Sequence, residues 1–138
     1  MRKATNILLF IALIGGLANC EKDTPLLPDN LIQFSTNQLG FGSDSSSIQI
    51  NLPLSRSVSA DVPAVISLTG SSVTYGKEFT TEPAASGDNI SLAIPAGSSS
   101  ASFKVLKADN VFLQGDEYIS FKIASAGAPV IFGSSDSL

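Results

Sequence analysis

Histidine and tryptophan are both absent from the 138 residues of this chain, and cysteine occurs once. Without histidine, the chain can form neither a Ser-His-Asp or Cys-His catalytic site nor a histidine-bearing zinc site. A single cysteine also excludes an internal disulfide bond. Two carboxylates could still perform glycosidase chemistry, but the acidic residues lie in short turns with no insertion that could build a substrate cleft. The residue inventory therefore predicts a protein that is not an enzyme.

Charged side chains are also scarce, at 14% of the residues, and the net charge is −4. Removal of an N-terminal segment containing Arg2 and Lys3 would leave six basic residues (8 − 2) against 12 acidic ones. Such a surface repels phosphate backbones, so nucleic acid is not an expected partner. Glycan binding by aromatic stacking is a distant alternative, because Tyr75 and Tyr118 are the only tyrosines. Composition leaves the protein or glycan ligand unspecified.

The N-terminus has the pattern of a secretory signal. Arg2 and Lys3 precede an apolar run at residues 7–14, and small residues follow. A membrane-spanning helix is the alternative, but the run is much shorter than the roughly 20 apolar residues that a bilayer core requires. The segment therefore predicts export.

The lone cysteine lies where cleavage of that signal is expected. The sequence Leu17-Ala18-Asn19-Cys20 resembles the lipobox of bacterial lipoproteins, although Asn19 stands where a smaller residue is usual. The resemblance implies a signal peptide at residues 1–19 and lipidation of Cys20, which becomes the mature N-terminus. We therefore expect an outer-membrane lipoprotein of the cell envelope, periplasmic or surface-exposed and held to the membrane by its lipid. An ordinary secreted protein with an unmodified cysteine is the alternative.

Residues 20–30 are polar, contain Pro25 and Pro28, and show no periodicity. This composition predicts a flexible tether before a domain at residues 31–138. The charged residues at 21–23 loosely resemble export tags of Bacteroidetes surface lipoproteins, and a solvated linker is an equal alternative.

Alternating apolar residues predict a domain built from strands. Ile90–Ile94 and Ala101–Val105 each alternate with the period of a strand, and Pro95 and Gly97 turn the chain between them. Phe103 is expected to face Phe121 across the core. About seven or eight short strands without helical spacing predict an all-β Greek-key sandwich. The further strands are expected at Leu31–Phe34, Ser46–Leu54, Asp61–Thr69, Val73–Thr80, Tyr118–Ala124 and Pro129–Phe132, and the one at Val73–Thr80 is expected to be kinked at Gly76.

Three motifs occur in the order and at the spacing of a known family. They are Tyr75-Gly76-Lys77-Glu78-Phe79, the run from Ile94-Pro95-Ala96-Gly97 to Phe103, and Asp109-Asn110 with Gln114-Gly115-Asp116-Glu117. Together they make residues 31–133 resemble a Calx-beta domain. The resemblance implies an immunoglobulin-like sandwich that serves as a binding, adhesion or structural module. Some members of the family bind calcium through acidic loops at one end of the sandwich.

The resemblance also implies candidate calcium ligands. These are Glu78, Asp109, Asp116 and Asp136. Neutral Asn110 and Gln114 stand where the family carries acids, and Ca²⁺ requires about six to eight oxygen ligands. We therefore expect any calcium site to be weak. The alternative is that these residues serve turn formation and solubility.

Overall fold

The computed structural model describes residues 26–42 and 44–138. The expected signal peptide (1–19), Cys20 and tether residues 21–25 lie outside the described residues. Within the described ranges no helix could cross a membrane. These described residues form eight strands, which are β1 (Asn30–Ile32), β2 (Ser47–Pro53), β3 (Val62–Ser71), β4 (Phe79–Glu82), β5 (Asn89–Ile94), β6 (Ser100–Lys107), β7 (Ile119–Ala126) and β8 (Val130–Phe132).

Six of the strands form two antiparallel sheets of three strands each, in the orders β2-β6-β4 and β5-β3-β7. Every connection from β2 to β7 passes from one sheet to the other, because consecutive strands always belong to different sheets. Such crossing connections are typical of immunoglobulin-like sandwiches. The predicted all-β, immunoglobulin-like sandwich is confirmed.

The remaining two strands, β1 and β8, pair in parallel and lie between the two sheets on one side of the sandwich. The chain continuing from β1 bonds to β2, where the N–H of Ser35 donates to the carbonyl of Asn51 at 3.1 Å. The segment after β8 bonds to β7, where the N–H of Ile123 donates to the carbonyl of Asp136 at 2.8 Å. This side of the sandwich is therefore closed by hydrogen bonds.

The core lies between the two sheets and follows the predicted alternation. Ile90, Leu92 and Ile94 are buried along β5, while the residues between them are exposed. Phe103 of β6 meets Phe121 of β7 edge to face, with ring centroids 5.1 Å apart. The expected contact across the core is confirmed.

The fourth strand differs from its prediction. We expected one strand over Val73–Thr80 with a kink at Gly76, but β4 begins only at Phe79. Gly76 has a φ of 80°, and the carbonyl of Thr74 accepts the N–H of Glu78 at 2.9 Å. These features define a reverse turn, which a continuous strand cannot contain. The apolar residues before the turn pack against the core without forming a ladder.

Candidate functional site

The sandwich has two opposite ends, each formed by its own loops. The pocket end contains the loops 35–42, 44–46, 72–78 and 108–118, and the tether end contains the loops 54–61 and 95–99 together with residues 26–29. The strands run between these ends, since Ser47 pairs with Leu106 at the pocket end and Pro53 pairs with Ser100 at the tether end.

A cavity of about 670 Å³ opens at the pocket end. Its walls are core residues of both sheets, including Ile48, Val105, Ile119 and Phe121. Its rim is formed by loop residues, including Leu39, Phe112, Leu113 and Tyr118. Small-molecule sites typically measure roughly 300–1,000 Å³ and are mostly apolar. The cavity therefore has the size and lining of a small-molecule site.

The loop at 108–118 brings apolar side chains to the rim. Phe112 is 89% exposed, and Leu113 is 37% exposed. Exposed apolar surface of this kind is unfavourable in water by roughly 25 cal/mol per Å² relative to burial. Contact with an apolar ligand would recover part of that free energy.

Two charged side chains lie among the described residues that line the cavity. The carboxylate of Glu117 accepts the N–H groups of Gln114 and Gly115 at 2.9–3.0 Å. These hydrogen bonds, that from Gln114 first, hold the pKa of Glu117 below its usual value, because they favour the ionised carboxylate. The negative charge of Glu117 is therefore compensated by backbone donors.

Lys107, the second charged residue of the cavity, lies at the end of β6 and is half-buried. The ion pairs among the described residues are Lys104 with Glu82 at 3.6 Å and Lys122 with Asp136 at 3.8 Å. Lys107 belongs to neither pair.

The predicted calcium ligands lie in different surroundings. The carbonyl of Glu78 accepts the N–H of Ala108 at 2.9 Å, which places Glu78 next to the start of the loop carrying Asp109. Asp116 is exposed further along that loop. Asp136 lies beside the middle of β7, outside these loops. The fold thus brings three of the four residues to the pocket end and leaves the fourth elsewhere.

The side chains of these residues are partly engaged within the protein. The carboxylate of Glu78 accepts the N–H of Thr74 at 2.6 Å, and Asp136 pairs with Lys122. Across residues 26–42 and 44–138, no three acidic or cysteine side chains come close enough to hold a metal ion. Any calcium site would therefore need backbone carbonyls and water to reach about six to eight oxygens, and the site stays a prediction.

The cluster at 75–79 that carries the resemblance has a structural role. Tyr75 contacts Phe79 edge to face at 5.3 Å, and its hydroxyl accepts the N–H of Ala85 at 2.8 Å. Burial raises the pKa of Tyr75, but the hydrogen bonds with Thr81 and Ala85 together lower it by more than burial raises it. The pKa of Tyr75 is therefore below its usual value. Tyr75 therefore joins the turn before β4 to the loop after it.

Sequence reasoning did not identify the residues that form the cavity rim and its charges. The one feature of the sequence that could have indicated the rim is the apolar triplet at 111–113, which lies between the turn residues Asp109-Asn110 and Gln114-Gly115. A triplet is too short for a typical strand of about five or six residues, so its side chains had no predicted place in the core.

The sheet order and the closing β1/β8 pair define the chain as an immunoglobulin-like sandwich with a Calx-beta-like fold. Among solved structures, it is similar to the apo form of the Calx CBD1 domain, with a TM-score of 0.62 and 11% sequence identity. The similarity covers 79% of this chain and 91% of that chain. At this identity the likeness shows the fold alone. No family model matches the sequence, and a search of curated proteins finds no match.

Proposed function

We propose that this chain is a non-catalytic binding module of the bacterial cell envelope, anchored by lipid on Cys20 and recognising its ligand at the pocket end. The observation that carries the proposal is the placement of the chain's N-terminal entry and the cavity at opposite ends of the sandwich. An anchor at one end leaves the other end free to meet a ligand.

The entry of the chain into the domain supports this arrangement. Asn30 is 1% exposed, and its side-chain amide both donates to the carbonyl of Arg56 and accepts the N–H of Arg56, each at 3.0 Å. The guanidinium of Arg56 also donates to the carbonyl of Pro28. The first strand is thereby fixed at the tether end. Nine residues lie between Cys20 and Asn30. The ten steps along the chain can span at most about 35 Å, so the tether end would stay within that distance of the membrane.

The absence of catalysis rests on the fold type and on the residue inventory. Calx-beta-like sandwiches are a non-enzymatic type of domain, and this chain contains no histidine. The charged residues at the cavity are one lysine and one glutamate already bound by backbone N–H groups. This arrangement suits binding, since no acid–base pair is poised for proton transfer.

Membrane fractionation tests the anchor. Acyl chains contribute roughly 0.8 kcal/mol per buried methylene, so a protein with two or more chains should sediment with membranes and require detergent for release. Cys20→Ser should move the protein to the soluble fraction. Asn19→Ser, which supplies a residue usual in the lipobox, is the matched control and should leave it membrane-bound. A wild-type protein found in the soluble fraction would refute the anchor.

A calcium-binding adhesion domain is the second candidate, favoured by the placement of Glu78, Asp109 and Asp116 at one end. This candidate uses the same end of the sandwich but a different ligand. It predicts that calcium raises the stability of the fold, and the thermal measurement that distinguishes it is given in the Discussion.

A further inference from the structure

We propose that the cavity at the pocket end binds a single-chain amphiphile with a carboxylate head group. The apolar tail enters between the sheets, and the carboxylate lies beside Lys107. The inference rests on the proposed function in taking the pocket end as the binding surface, but it does not depend on the lipid anchor.

The apolar walls of the cavity are the reason for proposing that the ligand has an apolar tail. Ile48 and Ile119 lie on strands of opposite sheets and both line the cavity while remaining half-buried. Deeper in the same cavity, Val105 and Phe121 are 1% and 3% exposed. The lining thus passes from half-exposed to buried apolar residues, which suits a slender chain of methylene groups.

The rim would cover the tail once it is bound. Phe112 is 89% exposed, and it lies in the loop between β6 and β7, outside both sheets. Leu39 lies on a different loop of the same rim and is 46% exposed. Apolar side chains on two separate loops could contact opposite sides of a chain that enters between them.

The choice of a carboxylate head group for the ligand follows from a difference between the two charged residues of the cavity, Glu117 and Lys107. Glu117 already accepts hydrogen bonds from the N–H groups of Gln114 and Gly115. Lys107 is the only basic residue among the described residues of the lining, and it takes part in neither ion pair of the described chain. An anionic head group complements that lysine within the lining, and the carboxylates of Glu78, Asp109 and Asp116 on the surrounding loops are not among the lining residues.

Dodecanoate and its uncharged methyl ester are the probes for this inference. Both are titrated, below the concentration at which they form micelles, into the full chain carrying Cys20→Ser, so that no acyl chain of its own competes. Calorimetry gives the affinity, and two-dimensional amide NMR locates the site. We expect dodecanoate to bind and to shift the amides of residues 111–113 and 119, while the amides of residues 57–59 at the tether end stay unchanged.

Three variants separate the head group from the tail. Lys107→Gln should weaken dodecanoate binding about tenfold and leave binding of the methyl ester unchanged, because only the charged ligand loses a partner. Phe112→Ser should weaken binding of both ligands. Lys104→Gln removes a lysine of the same strand that pairs with Glu82 outside the cavity, and it should change neither affinity.

Several results would overturn the inference. One is the absence of dodecanoate binding to protein whose amide spectrum shows it to be folded. Another is an equal loss of both affinities in Lys107→Gln, which would remove the role of the charge. Concentration-dependent self-association that Phe112→Ser abolishes, without dodecanoate binding, would assign the pocket end to a second copy of the chain. Fractionation of the wild type is independent of these results, so the anchor and the ligand can fail separately.

Discussion

Among single residues, Phe103 and Phe121 contribute most clearly to holding the two sheets together. They are 1% and 3% exposed and meet at 5.1 Å between ring centroids. Replacing either by Ala should lower the free energy of unfolding by about 3–5 kcal/mol, because it removes buried surface and leaves a cavity. Denaturant unfolding of both variants measures this loss. Phe112→Ala is the control, and its 89% exposed side chain predicts a change within about 0.5 kcal/mol.

This packing would be contradicted if the substitutions of Phe103, Phe121 and Phe112 lowered the free energy of unfolding by equal amounts. A one-residue shift of strand register would exchange inward and outward side chains, so unchanged stability in both core variants would point to such a shift.

Glu117, which lines the cavity, makes the stability of the fold depend on pH. Its pKa in the folded protein is lowered by the N–H groups of Gln114 and Gly115. The ionised carboxylate of Glu117 therefore stabilises the folded state at pH values above the pKa that Glu117 has in the unfolded chain. This stabilisation is lost as the pH falls through the lower pKa of Glu117 in the folded protein. The amide signals of Gln114 and Gly115, followed by NMR during an acid titration, should move with a midpoint below the usual value for a glutamate.

Glu117→Gln is the control for this titration, because it leaves no ionisable group at the same place. Persistence of the transition in that variant would assign it to another carboxylate. A midpoint at or above the usual glutamate value in the wild type would contradict the hydrogen bonding described for the loop.

At the scale of secondary-structure elements, the sequence predicted strands where side chains alternate and failed where a turn interrupts an apolar stretch. Ile90–Ile94 alternates without interruption, and β5 ends where the pattern ends. The predicted strand Val73–Thr80 also contains alternating apolar residues, but Gly76 turns the chain within it. Alternation reports which face a residue would occupy, whereas the turn depends on hydrogen bonds that the pattern does not encode.

The cavity could not be predicted for a related reason. Ile48 and Ile119 lie on predicted strands and contact the core, but both are half-buried because they line the cavity. Periodicity assigns a side chain to a face of the sheet and does not show whether the opposite sheet covers it. That depends on how the loops at 35–42 and 108–118 close over the strand ends.

The calcium candidate depends on the loops at the pocket end. The three predicted ligands there cannot supply about six to eight oxygens without carbonyls and water, so we expect an affinity no tighter than roughly 10⁻⁴ to 10⁻³ M. With a dissociation constant of about 1 mM, 10 mM Ca²⁺ would stabilise the fold by about 1.4 kcal/mol. For a domain of this size, this raises the thermal midpoint by several degrees.

Calorimetric melts in EDTA, Ca²⁺ and Mg²⁺ measure that response. Magnesium should shift the midpoint much less, because it requires a tighter octahedral shell and releases its waters reluctantly. Asp109→Asn should reduce the calcium shift, and Asp136→Asn is the comparison for a carboxylate that lies outside the loops. A melt that calcium leaves unchanged would remove the adhesion candidate, and a shift at micromolar calcium would show a more complete site than the described residues form.

For the whole molecule, the arrangement of its two ends matters more than its charge. The net charge of −4 disfavours nucleic acid but does not select a ligand. Strands of seven or eight residues, such as β2 and β6, separate the tether end from the pocket end. At about 3.3 Å per residue, the two ends are roughly 23 Å apart. The tether can span up to about 35 Å, which exceeds this separation, so a lipid on Cys20 would keep the tether end nearer to the membrane than the cavity on average, without fixing the height of the cavity.

Site-specific fluorescence quenching on vesicles tests this arrangement most directly. Acylation of Cys20, the only cysteine, leaves no other thiol, so an introduced cysteine is labelled alone. The lipoprotein carrying Ser59→Cys at the tether end or Asn37→Cys at the pocket end is reconstituted into vesicles containing a head-group quencher. We expect strong quenching of the label at residue 59 and weak quenching at residue 37. Equal or reversed quenching, or a protein that does not associate with vesicles, would contradict an anchored module with its cavity facing away from the membrane.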